Sequence, residues 1–393
     1  MPATYDVAIA GAGIVGAAVA DECAAAGLRV VVVEPGPTGG GATAAGMGHI
    51  VVMDDSPAQL VLTRYSVELW RELAPELPPE VEYAKTGTIW VAADPEEMAE
   101  VERKRQVYAS AGVRADVLDA RSLAEAEPQL RAGLAGGLLV PDDAVIYPPS
   151  AAHFLLERAE ARGAEVRVGT AVELAGVAQA PRFSGPMRIP PAKTSTAGIR
   201  LRDGELLAAG IVVNATGAWA PELTPGIEVR KRKGHLAITD RYPGFVRHQL
   251  VELGYLKSAH STAADSVAFN AQPRRTGQVL IGSSRQYDAA GPDIEAPILS
   301  RMLRRAQEYL PGLADLLVIR CWTGFRAATP DKLPLIGPAA GSDRLYLATG
   351  HEGLGITTSL ATGKLVADQI LGRPSAIPRE AYLPGRKHEA QHG

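Results

Sequence analysis

The sequence predicts an α/β chain: a parallel sheet organised around a strand–glycine turn–helix–strand unit, joined to a second, α+β part built on an antiparallel sheet. Three observations predict it. Residues 5–34 read YDVAIAGAGIVGAAVADECAAAGLRVVVVE, an apolar strand, a glycine turn at Gly11, Gly13 and Gly16, an alanine-rich helix and a second apolar strand ending on an acid. Residues 233–285 break into short strand-like runs (HLAIT, LVELGYLKS, SVAFNAQP, QVLIGSSRQ). Near the end, LYLATGHEGLGITTSLATGKLVADQILG is again strand, glycine turn and helix.

In the first unit each glycine has its own mechanical reason. One permits the tight turn, one lets backbone approach a pyrophosphate, and one lets helix and strand pack closely. The helix start then offers free N–H groups to phosphates. Glu34 follows Gly11 by 23 residues, where a carboxylate accepts hydrogen bonds from an adenosine ribose and repels a 2′-phosphate, which argues against NADP. The apolar start lacks a basic leading segment and contains Asp6 and Asp21, so it is read as structure and not as a secretion signal.

Length and composition bound the rest. The 393 residues suffice for two domains with large cores, 46% are hydrophobic, and no stretch forms an uninterrupted membrane span. A net charge of −4 and only short basic clusters (230–233, 301–305) exclude a general nucleic-acid surface. Cys23 and Cys321 are too few for a disulfide framework or a metal site, so a reducing cytoplasm is expected.

After Glu34 the segment PGPTGGGATAAGMGHIVVMDDSP is dense in small residues. That suits either a second ligand-contacting loop or a flexible surface loop. Ser56-Pro57 reads as N-cap and first helical residue, with Leu62, Tyr65, Leu69 and Leu73 on one face. From about Tyr83 the chain departs into a second domain through the strand KTGTIWVAAD, a charged helix over 95–111 and a strand over 113–118. It returns near Gly136 with strand, turn, helix and strand, the last being VRVGTAV. Pro181, Pro186, Pro190 and Pro191 mark an irregular excursion, a surface loop or a partner contact. A hairpin around Asp203-Gly204 leads to a buried strand ending in Asn214-Ala215-Thr216-Gly217, where a nucleotide would lie against the carboxyl edge of the sheet. After the antiparallel strands, Ile298, Leu299, Met302, Leu303 and Ala306 predict an amphipathic helix.

Four separated motifs, GAGIVG with Glu34, ATAAGM at 42–47, NATGAW at 214–219, and GFRAATPDKLPLIG with the closing GHEGLGI, give the chain a resemblance over nearly its whole length. It resembles the D-amino acid oxidase and glycine oxidase family of FAD-dependent oxidoreductases. GMGHIVVMDD, KGHLAIT, GSSRQ and GHEGLGITTS look closest to flavin subunits of heteromeric bacterial dehydrogenases acting on D-hydroxyproline, opines, or glycine in hydrogen cyanide synthase. The resemblance implies a Rossmann-like FAD-binding domain of the glutathione-reductase type (1–84, 136–225 and 320–393) and a substrate-binding domain (85–135 and 226–319).

It also implies noncovalent FAD, with pyrophosphate on Gly11, Gly13, Ile14, Val15 and Gly16, and ribose on Glu34 and Pro35. Ala42, Thr43, Ala45, Gly46 and Met47 would lie near the diphosphate and ring. Val172 would touch adenine from the end of the VRVGTAV strand, with Ala215 and Gly217 beside the nucleotide. Gly353, Leu354, Gly355, Ile356 and Thr357 would face the pyrimidine edge of the flavin, where the helix dipole favours negative charge.

Arg326 stands where the family binds the substrate carboxylate, a task its two parallel donors suit, the alternative being a structural ion pair. His49 orients substrate, tunes the ring or bonds backbone, and Tyr255 and Arg285 are substrate contacts or structural residues of the sheet. Departures predict a rebuilt pocket: Gly353 stands where glycine oxidases carry a second arginine, and Asn270 where they carry a tyrosine. Gly324 stands where sarcosine oxidases carry the flavin-linked cysteine. The implied reaction is oxidation of the C–N bond of a small amino or imino acid by hydride transfer to flavin N5. Alternatives are a partner-dependent electron-transfer subunit, or a flavoenzyme oxidising a small alcohol. Expected partners are the small substrate and electron-acceptor subunits or an oligomer, with no nucleic acid; the expected location is cytoplasmic or peripheral at the inner membrane.

Overall fold

Two large sheets carry the chain, and the computed structural model describes residues 4–177, 197–254, 265–287, 289 and 291–386. The first sheet grows from β1 (Thr4–Ala10) and β2 (Val30–Glu34), whose runs of valine, isoleucine and alanine are buried on both faces, as parallel strands require. Its order is β17 (Leu335–Pro338), β18 (Leu345–Thr349), β11 (Leu206–Asn214), β1, β2 and β8 (Glu165–Val168). β9 (Val172–Val177) and β10 (Ala197–Leu201) extend it antiparallel from β11. β10 and β11 form the hairpin expected around Gly204, which has φ +91°.

Alternation sorts the two faces. Val7, Ile9, Val30 and Val32 pack against α1 (Ile14–Ala25), α6 (Pro148–Ala161) and the long C-terminal helix, while Ala8, Ala10, Val31 and Val33 pack towards β10 and β18. Helix α1 crosses the C-terminal helix so closely that a Cβ at Gly363 would stand 2.6 Å from the Ala18 carbonyl oxygen. Small residues at this crossing therefore fix how the first helix sits against the sheet.

Between these elements lie the short α2 (Gly41–Ala44), β3 (His49–Ile50), which pairs with β7 (Ala144–Val145), and α3 (Pro57–Leu73). Ser56 caps α3 by accepting from the Gln59 N–H at 3.1 Å, as its sequence predicts.

The second sheet is mostly antiparallel. Its order is β16 (Val318–Ala328), β12 (Arg230–Arg241), β15 (Gln278–Tyr287), β14 (Asp265–Pro273), β13 (Gln249–Glu252), β4 (Thr88–Ala92), β6 (Gly136–Val140) and β5 (Asp116–Asp119). Only β13 and β4 run parallel among its described pairs. Helix α4 (Pro95–Ser110) follows β4, α5 (Ala120–Ala126) follows β5, and α7 (Ala220–Leu223) follows β11. Helix α8 (Ala296–Tyr309) buries Ile298, Met302 and Ala306. Met302 and Ala306 pack with Ala237, Phe269, Ala271, Val279 and Ile281 on one face of this sheet. The opposite face, carrying Leu236, Leu280 and Asn270, turns towards the first sheet. Helix α9 (Gly355–Leu371) completes the chain's core.

Strand membership differs from the expected division at two places. β6 and β16 hydrogen-bond within the second sheet although 136–140 and 320–328 were assigned to the first part, because their partners β4 and β12 lie there. Val172 does not end the VRVGTAV strand: β8 stops at Val168, Gly169 takes φ +77°, and Val172 opens β9. The proline-rich excursion and Tyr255 lie outside the described residues. No described helix is long and apolar enough to cross a membrane.

Candidate active site

The carboxyl ends of β1, β2 and β11 open onto a cleft of about 590 Å³ that continues to the inner face of the second sheet. The glycine turn forms its floor, and the three glycines do different things there. Gly11 has φ +104°, and a Cβ on it would lie 2.6 Å from the Ala215 carbonyl oxygen. A Cβ on Gly16 would lie 2.0 Å from the Gly11 oxygen, so Gly16 packs beneath the turn and does not line the cleft. At Gly13 a Cβ would meet only Thr43 Oγ1, at 3.2 Å, which leaves its cleft side open for close approach by a ligand. Thr43 Oγ1 accepts from the Ile14 N–H at 3.0 Å and so pins the α2 loop to the start of α1.

Glu34 closes one end of β2. Its Oε2 accepts from the Ala12 N–H at 2.8 Å and its Oε1 from the Gly36 N–H at 2.9 Å, and the residue lines the cleft. Pro35, Ala42, Ala45, Gly46, Met47, Val172, Ala215, Gly217, Gly353, Gly355, Ile356 and the helix starts at Ile14 and Val15 line it too. Leu354 and Thr357 stand behind the wall; Thr357 Oγ1 donates to the His49 carbonyl at 2.8 Å and accepts from the Val51 N–H at 3.3 Å. These residues fit a dinucleotide: an open glycine turn, two helix N-termini and a carboxylate at the strand end share one elongated cleft.

Arg326, on β16, is the cation of the inner wall. Its guanidinium crosses β12 over Gly234 and donates from Nη1 to the Ser284 carbonyl at 3.0 Å. Burial and the neighbouring Arg232 lower its pKa, while Glu352 opposes them. Glu352 has φ +53°, is held by its N–H to the Ala327 carbonyl at 2.9 Å, and pairs with Arg232. Burial pushes its carboxyl up, but Arg232, Arg285 and Arg326 together hold it below the usual range, so it stays ionised. Arg285 does not line the cleft; burial pushes it down to about 9 despite Glu352, and it belongs to this charged group behind the wall.

His49 lines the cleft with Nε2 buried and without a hydrogen-bond partner. Burial first, then Arg326 and Arg274, lower its pKa to about 4, so the imidazole is neutral near pH 7. Asn270, Ser283, Trp219 and Glu352 also line the cleft. Of these four, the sequence marks only Asn270, as a departure in the expected pocket; Trp219 and Glu352 lie inside the NATGAW and GHEGLGI motifs, and Ser283 carries no signal. Asn270 and Ser283 face inward only through strand register. Among the described residues no cluster of histidine, cysteine and acidic side chains could hold a metal ion.

A Rossmann-like domain with an elongated nucleotide cleft, closed by a second sheet, defines an FAD-dependent oxidoreductase. The chain belongs to the DAO family of FAD dependent oxidoreductases, whose family model matches residues 6–369. It is 26% identical over 400 residues to a glycine oxidase of Bacillus licheniformis, covering 99% of each chain. It is 29% identical to hydrogen cyanide synthase subunit HcnC of Pseudomonas aeruginosa, covering 93% of this chain and 92% of that one. The crystal structure of glycine oxidase from Geobacillus kaustophilus superposes with a TM-score of 0.84 at 26% identity, covering 98% of this chain and 99% of that chain.

Proposed function

We propose that this enzyme oxidises the C–N bond of a small amino or imino acid, of D-hydroxyproline/proline-, glycine- or opine-like size, with its carboxylate held by Arg326. The observation that carries the reading is Arg326 itself, a half-buried guanidinium on the wall of the cleft that also contains the glycine turn. A partly desolvated guanidinium there favours an anion with two acceptor oxygens, and its crossing over Gly234 fixes the direction in which they bind. Glu352, which also lines the cleft, pairs with Arg232, and its charge opposes the lowering of the Arg326 pKa, so Arg326 stays a cation.

FAD, held by the turn at Gly11 and Gly13, by Glu34 and by the start of α9, would supply the acceptor for the two electrons removed from the substrate's C–N bond. The chain contributes orientation: Arg326 sets the carboxylate, and the sheet residues Gly234, Leu236 and Ser283 form the surface on which the substrate lies. The amine binds unprotonated, so no residue has to serve as general base, and neutral His49 is free to hydrogen-bond without adding positive charge. Gly324 supports noncovalent FAD, because a Cβ there would stand 2.3 Å from Ala45 Cβ and leave no room for a cysteine link. Cys321 instead packs against the core under α8.

The test is anaerobic. Purified yellow protein is mixed with proline, hydroxyproline, glycine, sarcosine and opines, in both enantiomers where they exist, while flavin absorbance is followed. Bleaching by one of them supports C–N oxidation, and subsequent admission of air separates an oxidase from a dehydrogenase.

A second reading, a subunit whose flavin is reduced only within a heteromeric dehydrogenase, draws on one surface feature. Leu317, Val318 and Ile319 are consecutive apolar residues with relative exposures of 68%, 42% and 55%, beside the outer edge of the second sheet. Absence of bleaching by the whole panel, with FAD bound, would favour this reading.

A further inference from the structure

The cleft is lined by two polar side chains that the carboxylate-binding reading does not use. Asn270 is 7% exposed and lines the cleft. Its Oδ1 is buried and no described hydrogen bond reaches it; His49 Nε2 is in the same condition. Buried polar atoms are almost always paired, and an unpaired one costs stability, so two facing one cleft call for a partner that the protein does not supply.

Their positions relate to Arg326 through the second sheet. Phe269 and Ala271 pack into the core under α8, so alternation turns Asn270 between them to the cleft face. The Arg326 guanidinium reaches across β12 to the Ser284 carbonyl on β15. Asn270 lies on β14, the next strand, opposite Gly282. Asn270 and the Ser284 carbonyl that Arg326 grips therefore lie on neighbouring strands of the cleft face, close together along them. A small amino acid with its carboxylate on Arg326 would direct its side chain along this face towards Asn270. His49 comes from the opposite side: it follows Met47, whose Sδ would lie 3.1 Å from a Cβ on Gly282.

We infer that Asn270 and His49 are specificity-determining residues that recognise a neutral hydrogen-bonding substituent, a hydroxyl or carboxamide, on the side chain of the substrate. This rests on the reading that Arg326 holds the carboxylate. The chemistry selects the class. An amide presents donors and an acceptor, and a neutral imidazole presents one of each, which matches a hydroxyl or carboxamide. Neither group neutralises a charge, so a second carboxylate or ammonium at this end would be desolvated without compensation.

The experiment compares matched pairs anaerobically: 4-hydroxyproline against proline and serine against alanine, in whichever enantiomer reduces the flavin, with wild type and Asn270→Leu. Wild type is expected to be reduced by the hydroxylated member at least tenfold more efficiently, because a site built to bond a hydroxyl leaves its own groups unpaired with the analogue. In Asn270→Leu the ratio falls to near one, through loss of the hydroxylated member and not through a general loss of rate. Equal efficiencies within each pair in wild type overturn the inference without requiring any variant to fold, and so does an undiminished ratio in Asn270→Leu. Failure of every amino acid to reduce the flavin overturns the underlying reading instead, so the two failures are distinguishable.

Discussion

Arg326 and Gly234 share one space: a Cβ built on Gly234 would stand 2.3 Å from Arg326 Nη1 and 2.9 Å from Cζ. β12 and β16 pair through Gly234 opposite Gly324, and the long side chain of Arg326 folds back across that gap. Gly234 is not in the left-handed region, so it is glycine for room alone. Gly234→Ala should displace the guanidinium and raise the substrate KM about tenfold, with FAD content unchanged. Steady-state kinetics beside the flavin-to-protein absorbance ratio measure it; an unchanged KM would show that the crossing does not orient substrate.

Removing the guanidinium goes further. Arg326→Ala should raise the apparent substrate constant roughly 100-fold, the loss expected for a charge-assisted bidentate contact. Bound FAD should remain. Unchanged kinetics would take Arg326 out of the site.

Glu34 supports the turn through the Ala12 and Gly36 N–H groups as well as facing the cleft. Glu34→Ala should weaken FAD retention about tenfold, read by dialysis followed by cofactor titration. Full retention would undo the ribose assignment.

Gly13 and Gly16 separate ligand approach from packing. Gly16→Ala brings a methyl to 2.0 Å from the Gly11 oxygen and should give little folded protein. Gly13→Ala meets only Thr43 Oγ1, at 3.2 Å, so it should fold with a near-normal melting temperature yet bind FAD more weakly. The melting curves of the two apoproteins and their flavin content are the measurements, and equal flavin binding in Gly13→Ala and wild type would contradict the assignment.

Asp143 gives stability a pH dependence. It is buried, its Oδ1 accepts from the Val52 N–H at 3.3 Å, and burial raises its pKa to about 7, against the opposing effects of Thr88, Val52 and Lys104. The folded state therefore holds a proton that the unfolded chain releases near pH 4. The stabilisation is complete below that pH and is lost as pH rises towards 7. Asp143→Asn mimics the protonated form, so its melting temperature should gain on wild type between pH 5 and pH 8. A constant difference across that range would show that Asp143 titrates normally.

Much of the nucleotide side was legible before any coordinates. The turn at Gly11, the end of β2 at Glu34, the 42–47 loop and the start of α9 are each encoded within a few consecutive residues. Turn glycines, strand runs and helix starts have local causes, and the family resemblance named FAD for the cleft they form. Val172 was misread by one strand because Gly169 inserts a turn that the VRVGTAV pattern does not mark. That β6 and the edge strand containing Arg326 join the second sheet was not legible locally, since membership depends on which distant strand supplies the hydrogen bonds.

By itself, then, the sequence determined an α/β flavoprotein with a glycine-turn nucleotide cleft and a candidate arginine. Tertiary structure decided how that arginine is surrounded: Gly234 beneath it, the Glu352–Arg232 pair beside it, and the facing of Asn270 and His49, both named from sequence, into the same cleft. These groups lie far apart in the chain and meet only through the register of β12, β14, β15 and β16. A shift of one residue in any of those strands would turn its cleft-facing side chains into the core.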